Sequence, residues 1–437
     1  MTDTVYWIWL ASRLGAASRR LPYLLDRYSS PYDIYRAEDE ELERLDLSPR
    51  LINGLRNKDM KEAYAILDYC ASHNIGILTY SGEFYPDKLR SIADPPAVLY
   101  FKGKLPNTND FVSIAMVGTR KMSEYGKRSA YKIAYELASA GVTVVSGMAL
   151  GIDSVAACGA ICGGGKTIAV LGSGVDVVYP KQHAKLYDII IENGAVISEY
   201  PPTARPEAKH FPQRNRIISG LSNGTLIVEC AAKSGALITA ERAIEQGKDV
   251  FALPGNLDNK NSAGTNRLIG DGATIITCTE DILRSYEFYY GKKINFLGLN
   301  DAKSRSDIDE NALKRMDICF RKDPEAENTK DPERKNLLRP RKLPKNQNDA
   351  GMPSTLEKKD QKDIENSRKL QRPTESQLEE LDKSERDILF AMPDDRAIGV
   401  DALVRLGYSC SDVMCALVML EIKGLVSSLP GGLYIKT

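Results

Sequence analysis

The sequence predicts an α/β protein: an open, mostly parallel sheet covered by helices, preceded by short helices and followed by a small module of helices and a hairpin. Three observations carry this. Between residues 111 and 285, β-rich runs alternate with helical segments. Each run is continuously apolar rather than alternating, as in strands buried on both faces. From about residue 296 to 383 the chain has almost no aromatics and fills with charge of both signs, and apolar periodicity returns only in the last fifty or so residues.

Residues 1–75 read as an N-terminal helical domain of SAM or helical-hairpin type. Apolar spacing marks Tyr6–Leu14, Leu21–Tyr28, Ile34–Tyr35 and Leu42–Leu47, broken at Gly15 and Pro31. Ser48-Pro49 is a helix start: the hydroxyl caps, and proline at the first position needs no N–H partner. Residues 76–290 hold the sheet domain. A connecting stretch with Tyr85-Pro86, Pro95-Pro96 and the apolar run Ala97–Phe101 leads into it. Strands are expected at Val112–Val117, Val142–Ser146, Thr167–Leu171, Ala195–Ser198, Thr225–Val228, Val250–Leu253 and Thr274–Thr277.

Residues 291–383 read as a disordered charged linker, too poor in apolar side chains to offset the entropy of ordering. Its Arg334–Lys345 tract carries six basic residues and no acidic one, and reads first as a solvated tract rather than a binding arm. Residues 384–437 read as a winged helix. Ser384–Ala391 and Val400–Leu406 are helical, and Ser411 caps a third helix to about Lys423. Leu425–Ser428 and Leu433–Lys436 flank a Pro430-Gly431-Gly432 turn. The third helix offers Asp412 and Glu421 but no Arg or Asn near its start, so sequence-specific duplex reading is not expected. A protein-contact role fits this module at least as well.

Composition narrows the function. The chain has 437 residues, 43% of them hydrophobic, with no run approaching the roughly 20 apolar residues of a membrane span. The start, MTDTVYWIWLASR, has no basic segment ahead of its apolar patch, so no signal peptide is expected and the cytoplasm is the expected location. Eight cysteines without a C-x-x-C pair, and only three histidines, suggest buried free thiols and no metal site. Lys+Arg and Asp+Glu balance at 59 each, so attraction to nucleic acid must come from a local patch.

Open α/β sheets bind ligands beyond the carboxyl ends of their strands. There the sequence places Gly118-Thr119-Arg120, Ser146-Gly147, Gly151-Ile152-Asp153, Gly172-Ser173-Gly174 and Ser234-Gly235. Glycine lets backbone N–H groups approach an anion at a helix start, so neighbouring turns of this kind form a phosphate cradle. Any single one equally serves a turn with positive φ. Two nucleotide motifs fail. Gly163-Gly164-Gly165-Lys166-Thr167 lacks the first P-loop glycine, at Ala160, and precedes a strand. Gly172-Ser173-Gly174 has Val177 where a dinucleotide fingerprint needs its third glycine. No ATP, NAD or other cofactor is expected.

The segment Lys209–Leu221 is the most unusual. Lys209, His210, Phe211, Arg214, Asn215 and Arg216 bring cations, an aromatic ring and an amide together, as single-strand binding requires. Phe211 reads equally as core or as a base-stacking face. At least one of Arg214 and Arg216 is expected in an internal ion pair with Glu199 or Glu229.

Together these strings resemble the DprA/Smf family. The resemblance runs closely from about 75 to 290, through Tyr85-Pro86-x-x-Leu89, Gly118-Thr119-Arg120-x-x-Ser123-x-Tyr125-Gly126 and Gly174-x-Asp176-x-x-Tyr179-Pro180. Most specific are Phe211-Pro212-x-Arg214-Asn215-Arg216-Ile217-Ile218-Ser219-Gly220 and Ser262-x-Gly264-Thr265-Asn266. The resemblance implies an extended Rossmann-type fold, a homodimer, binding of single-stranded DNA, and its delivery to the RecA recombinase in natural transformation. It implies no membrane partner. Arg120 matches the family's Gly-Ser-Arg arginine, and Lys181 and Lys209 match its basic strand-binding positions. Thr119 replaces the usual Ser, and Ala157-Cys158-Gly159-Ala160-Ile161 lacks the family's His.

The DNA-binding set expected is therefore Gly118, Thr119, Arg120, Ser146, Gly147, Gly151, Lys181, Lys209, Phe211, Arg214, Asn215, Arg216, Ser234 and Gly235. No nucleophile, base and orienting group stand together, so catalysis is not expected. The alternatives are a sensor of a small nucleotide and a nucleoside-phosphate hydrolase. Against the latter, Pro254-Gly255-Asn256 lacks the Pro-Gly-Gly-x-Gly-Thr of such enzymes.

Overall fold

The structure, a computed structural model, describes residues 2–303 and 305 and, toward the C-terminus, 381, 383–393, 398–399 and a subset of 403–436. It divides into two units, Met1–Leu343 and Pro344–Thr437.

The first unit opens with α1 (Thr2–Leu14), α2 (Arg20–Arg27), α3 (Pro31–Arg36), α4 (Asp39–Glu43), α5 (Pro49–Arg56) and α6 (Lys61–Ser72). Ser48 caps α5 as the sequence suggests, accepting from the Leu51 N–H, and Ser30 caps α3 in the same way ahead of Pro31. The sheet part follows as β1 (Gly76–Thr79), α7 (Asp87–Arg90), β2 (Val98–Gly103), β3 (Ser113–Val117), α8 (Glu124–Ser139), β4 (Thr143–Ser146) and α9 (Ile152–Cys162). Then come β5 (Thr167–Val170), α10 (Ala184–Asn193), β6 (Gly194–Ser198), α11 (His210–Gly220), β7 (Gly224–Ile227) and α12 (Gly235–Glu245). It ends with β8 (Asp249–Ala252), α13 (Ala263–Gly270), β9 (Thr274–Ile275), α14 (Thr279–Tyr290) and α15 (Phe296–Lys303).

Every run expected as a strand forms one. The sheet order is β1-β2-β6-β5-β4-β3-β7-β8-β9, with β1 and β2 antiparallel at one edge and the rest parallel. β3 to β7 are wholly buried, which is why their sequences are unbroken apolar runs. α8, α9 and α10 cover one face, where Ile114, Val144, Tyr131 and Val155 share a buried cluster. The other face meets α11 and α12 through Val117, Ile168, Ile217 and Ala240. The opening helices do not close a separate core. Trp7, Trp9, Leu24 and Leu42 belong to the same buried cluster as β3 and β4.

One boundary is corrected. The disordered linker expected from residue 291 does not hold for its first residues, because Phe296–Lys303 forms α15 against α8, burying Leu299 and Ala302. Phe296, Leu299 and Ala302 supply the apolar face that averaging over a charged region hides. The Arg334–Lys345 tract lies outside the described residues.

In the second unit, α16 (Lys383–Ala391) is followed by β10 (Ile398–Gly399), β11 (Val426–Leu429) and β12 (Leu433–Lys436). The last two pair as the expected hairpin, and the sheet order is β10-β12-β11. Leu389, Leu403, Leu417 and Val426 form its own core. The helices expected over 400–406 and from Ser411 fall largely outside the described residues. Among the described residues no helix is long and apolar enough to cross a membrane.

Candidate nucleic-acid interface

β3 and β7 are neighbours, yet the chain runs outward from β3 through β4, β5 and β6 on one side and from β7 through β8 and β9 on the other. Such a reversal opens a crevice beyond the carboxyl ends of the strands. A cleft of about 610 Å³ lies there, walled by the loops after β3 and β7, the first turns of α11 and the start of α12. Gly118, Thr119, Arg120, Phe211, Arg214, Asn215, Ser234 and Gly235 of the expected set line it.

Its outer rim is cationic and aromatic. Arg120 is exposed, with its guanidinium carbon 5.9 Å from the centre of the Phe211 ring. The Tyr179 ring lies 5.5 Å from the same centre. Phe211 is therefore a half-buried cleft wall rather than core. Both faces of such a pair suit cations and flat rings.

Arg214 forms the floor. It is buried, and it donates to the carbonyls of Gly147 (2.9 Å) and Val170, with Nε 3.3 Å from Asn215 Oδ1. Burial lowers its pKa to about 10, opposed by the nearby Asp153 carboxylate, so it stays charged at neutral pH. Burial likewise pushes the Asp153 carboxyl up, while Arg214 and the N–H groups of Gly147 and Ala149 pull it back.

Two of the glycine turns already hold an anion, and it is the protein's own. Asp153 accepts from the Gly147 N–H at 3.0 Å, filling the turn after β4. Glu229, 1% exposed, fills the start of α8, accepting from the Ser123 N–H (2.9 Å), the Ser123 hydroxyl (2.7 Å) and Asn259 (3.2 Å). A Cβ on Gly126 would collide with that carboxylate. The α12 start differs. Ser234 caps it, Gly235 is exposed, and nothing lies within 4 Å of where a Gly235 Cβ would sit. Ser234 takes the Ala236 N–H on its hydroxyl and the Leu237 N–H on its carbonyl, and Ser234, Gly235 and Ala236 line the cleft, so no carboxylate occupies this helix start.

The geometry corrects four expected contacts, Ser146, Gly147, Gly151 and Arg216, all of them buried, and leaves Lys181 and Lys209 exposed outside the cleft. Ser146 is fully buried and its hydroxyl donates to the Asp153 carbonyl, so it cannot reach a ligand. Gly147 and Gly151 are buried behind it. Gly147 leaves room for the Arg214 guanidinium, and Gly151 takes φ +84° against the Thr119 carbonyl. Arg216 is 1% exposed and points away from the cleft, paired with Glu199 (2.5 Å) and facing Asp94 (3.8 Å). The alternative reading of an internal pair with Glu199 is the one realised. Lys181 is exposed but does not line the cleft, and Lys209 lies on the other side of α11, 2.8 Å from Glu207.

Two further residues line the cleft, Tyr179 and Lys233. Tyr179 stood in a quoted motif without a role. Lys233 carries a signal of its own: a cation just before a helix start opposes the helix dipole unless an anion binds there.

Residues 76–287 match the model of the DNA recombination-mediator protein A family, and residues 372–432 match the DprA winged helix domain. Protein Smf of Escherichia coli K12 is 38% identical over 292 residues, which cover 66% of this chain and 76% of that protein. The chain belongs to the DprA/Smf family. Among solved structures, DNA processing protein A from Streptococcus pneumoniae is 34% identical and covers 64% of this chain and 97% of its own, with a TM-score of 0.57. A DNA processing protein A from Helicobacter pylori, solved in work on its single-stranded DNA binding mode, is 31% identical and covers 48% and 94%, with a TM-score of 0.44. The most specific DprA/Smf string, Phe211 to Gly220, is α11 itself: one end faces the cleft and the other packs under the sheet.

Proposed function

We propose that this DprA/Smf-family chain binds single-stranded DNA in the β3/β7 cleft and passes it to a RecA-type recombinase during natural transformation. In this reading it acts as a homodimer and without turnover of its own. One observation carries it: exposed cations (Arg120, Lys233) and the open α12 start share a single cleft with the Tyr179–Phe211 pair. Cations and N–H groups suit phosphates, and aromatic faces suit unpaired bases, at about 1–3 kcal/mol per stacked base. A duplex hides those faces, which favours single strands. Asp153 and Glu229 are engaged by backbone and hydroxyl donors, which favours binding over catalysis. Delivery to RecA and dimerisation rest on family membership.

Fluorescence anisotropy with oligo-dT tests the reading. Log affinity is expected to fall against log salt with a slope of about 0.7 per phosphate contacted. Arg120→Ala is expected to weaken binding about tenfold, one charge-assisted contact of about 1.5 kcal/mol, with the fold intact. Binding confined to mononucleotides, or indifferent to salt, would instead support the nucleotide-sensor alternative.

A further inference from the structure

α11 separates two clefts. Phe211, Arg214 and Asn215 face the β3/β7 cleft, while Lys209 and Gln213 line a second groove of about 780 Å³. The opposite wall of that groove is the end of α1 and the start of α5, which bring Arg13 and Arg50. Three cations therefore converge on it, and no lining side chain is acidic.

These charges are poorly neutralised from within. Arg50 is exposed and makes no ion pair among the described residues. Arg13 donates to the Asp59 carbonyl at 3.0 Å, and its Nε is buried without an acceptor. Lys209 meets Glu207 at the surface, with side chains 70% and 54% exposed, a pair that solvent and salt screen and another anion can replace. Arg50 also sits in the first turn of α5, which has no acidic residue there. A cation at that end opposes the helix dipole, and a bound anion relieves the conflict. Lys233 beside α12 shows the same combination in the main cleft.

We propose that this groove is a second station for the same DNA strand, where Lys209, Arg13 and Arg50 hold phosphates that have left the main cleft around the first turn of α11. The inference rests on the strand-binding reading of the main cleft. It makes the opening helices part of the DNA path.

The test is anisotropy on the full chain with a short oligo-dT of about 6 nucleotides and a long one of about 20, lengths either side of a typical single-strand site. Arg50→Ala and Arg50→Gln both alter one exposed side chain outside the expected DNA-binding set, and their thermal melts check the fold. Each is expected to leave the short oligomer within twofold, weaken the long one about fivefold, and lower its salt slope by about 0.7. Unchanged affinity and slope on the long oligomer overturn the second station. So does an equal loss on both lengths, or an effect confined to duplex DNA. Arg120→Ala separates the two ideas: if it too leaves both oligomers unchanged, the main-cleft reading falls as well.

Discussion

Arg120 and Arg216 stand in motifs of the same family, yet their surroundings give them opposite work. Arg120 is exposed on the cleft, and removing it should cost binding and not stability. Arg216 compensates the buried carboxylates of Glu199 and Asp94. Arg216→Met strands them, and breaking such a buried pair costs about 3–5 kcal/mol. A urea midpoint close to that of the parent would show that the carboxylates find protons or other donors instead. Lys88 offers a pH test. Its ammonium donates to the Phe111 carbonyl, Ser113 and Asn223, and burial pushes its pKa down to about 7. The unfolded chain then holds the extra proton between about pH 7 and its ordinary value near 10.4. Stability from this group therefore rises with pH across that window, and is at its lowest below it. Urea midpoints measured at several pH values should show this rise flattened in Lys88→Met.

At the scale of elements, α8 and α12 start alike and end up different. Both follow a central strand and both have a Ser cap. The α8 start is closed by Glu229, whereas the α12 start faces the cleft. Gly126→Ala should displace the carboxylate and cost about 1–3 kcal/mol, as overpacking does. Gly235→Ala meets open space and should leave the thermal midpoint level or slightly raised, since Ala suits a helix better than Gly. Its DNA affinity should fall, because a methyl group would stand where backbone meets phosphate. If Gly235→Ala binds oligo-dT like the parent, the α12 start is not a phosphate contact.

At the scale of the molecule, the opening helices and the sheet share one buried cluster. The chain has two tryptophans, Trp7 and Trp9, and both lie in α1. Tryptophan fluorescence thus reports on the helices, and hydrogen exchange of β3 to β7 amides reports on the sheet. Coincident loss of both signals at one urea concentration is expected for a single cooperative unit. Separate transitions would mean that the helical segment folds on its own.

What the sequence determined by itself was local. Unbroken apolar runs marked the buried parallel strands, Ser48-Pro49 marked a helix start, and the ordered glycine and Phe211–Gly220 strings carried the family. β1 was missed because it is a short, half-buried edge strand without a continuous apolar run. The tertiary structure decided which of the candidate residues face the cleft. Ser123 and Glu229 lie 106 positions apart, as Gly147 and Arg214 lie 67 apart. Whether a glycine turn is open to phosphate or filled by a carboxylate depends on such distant partners. So does whether an arginine is rim, floor or buried counter-ion. Periodicity and propensity act over a few residues, while burial and charge pairing are set by which parts of the chain the fold brings together.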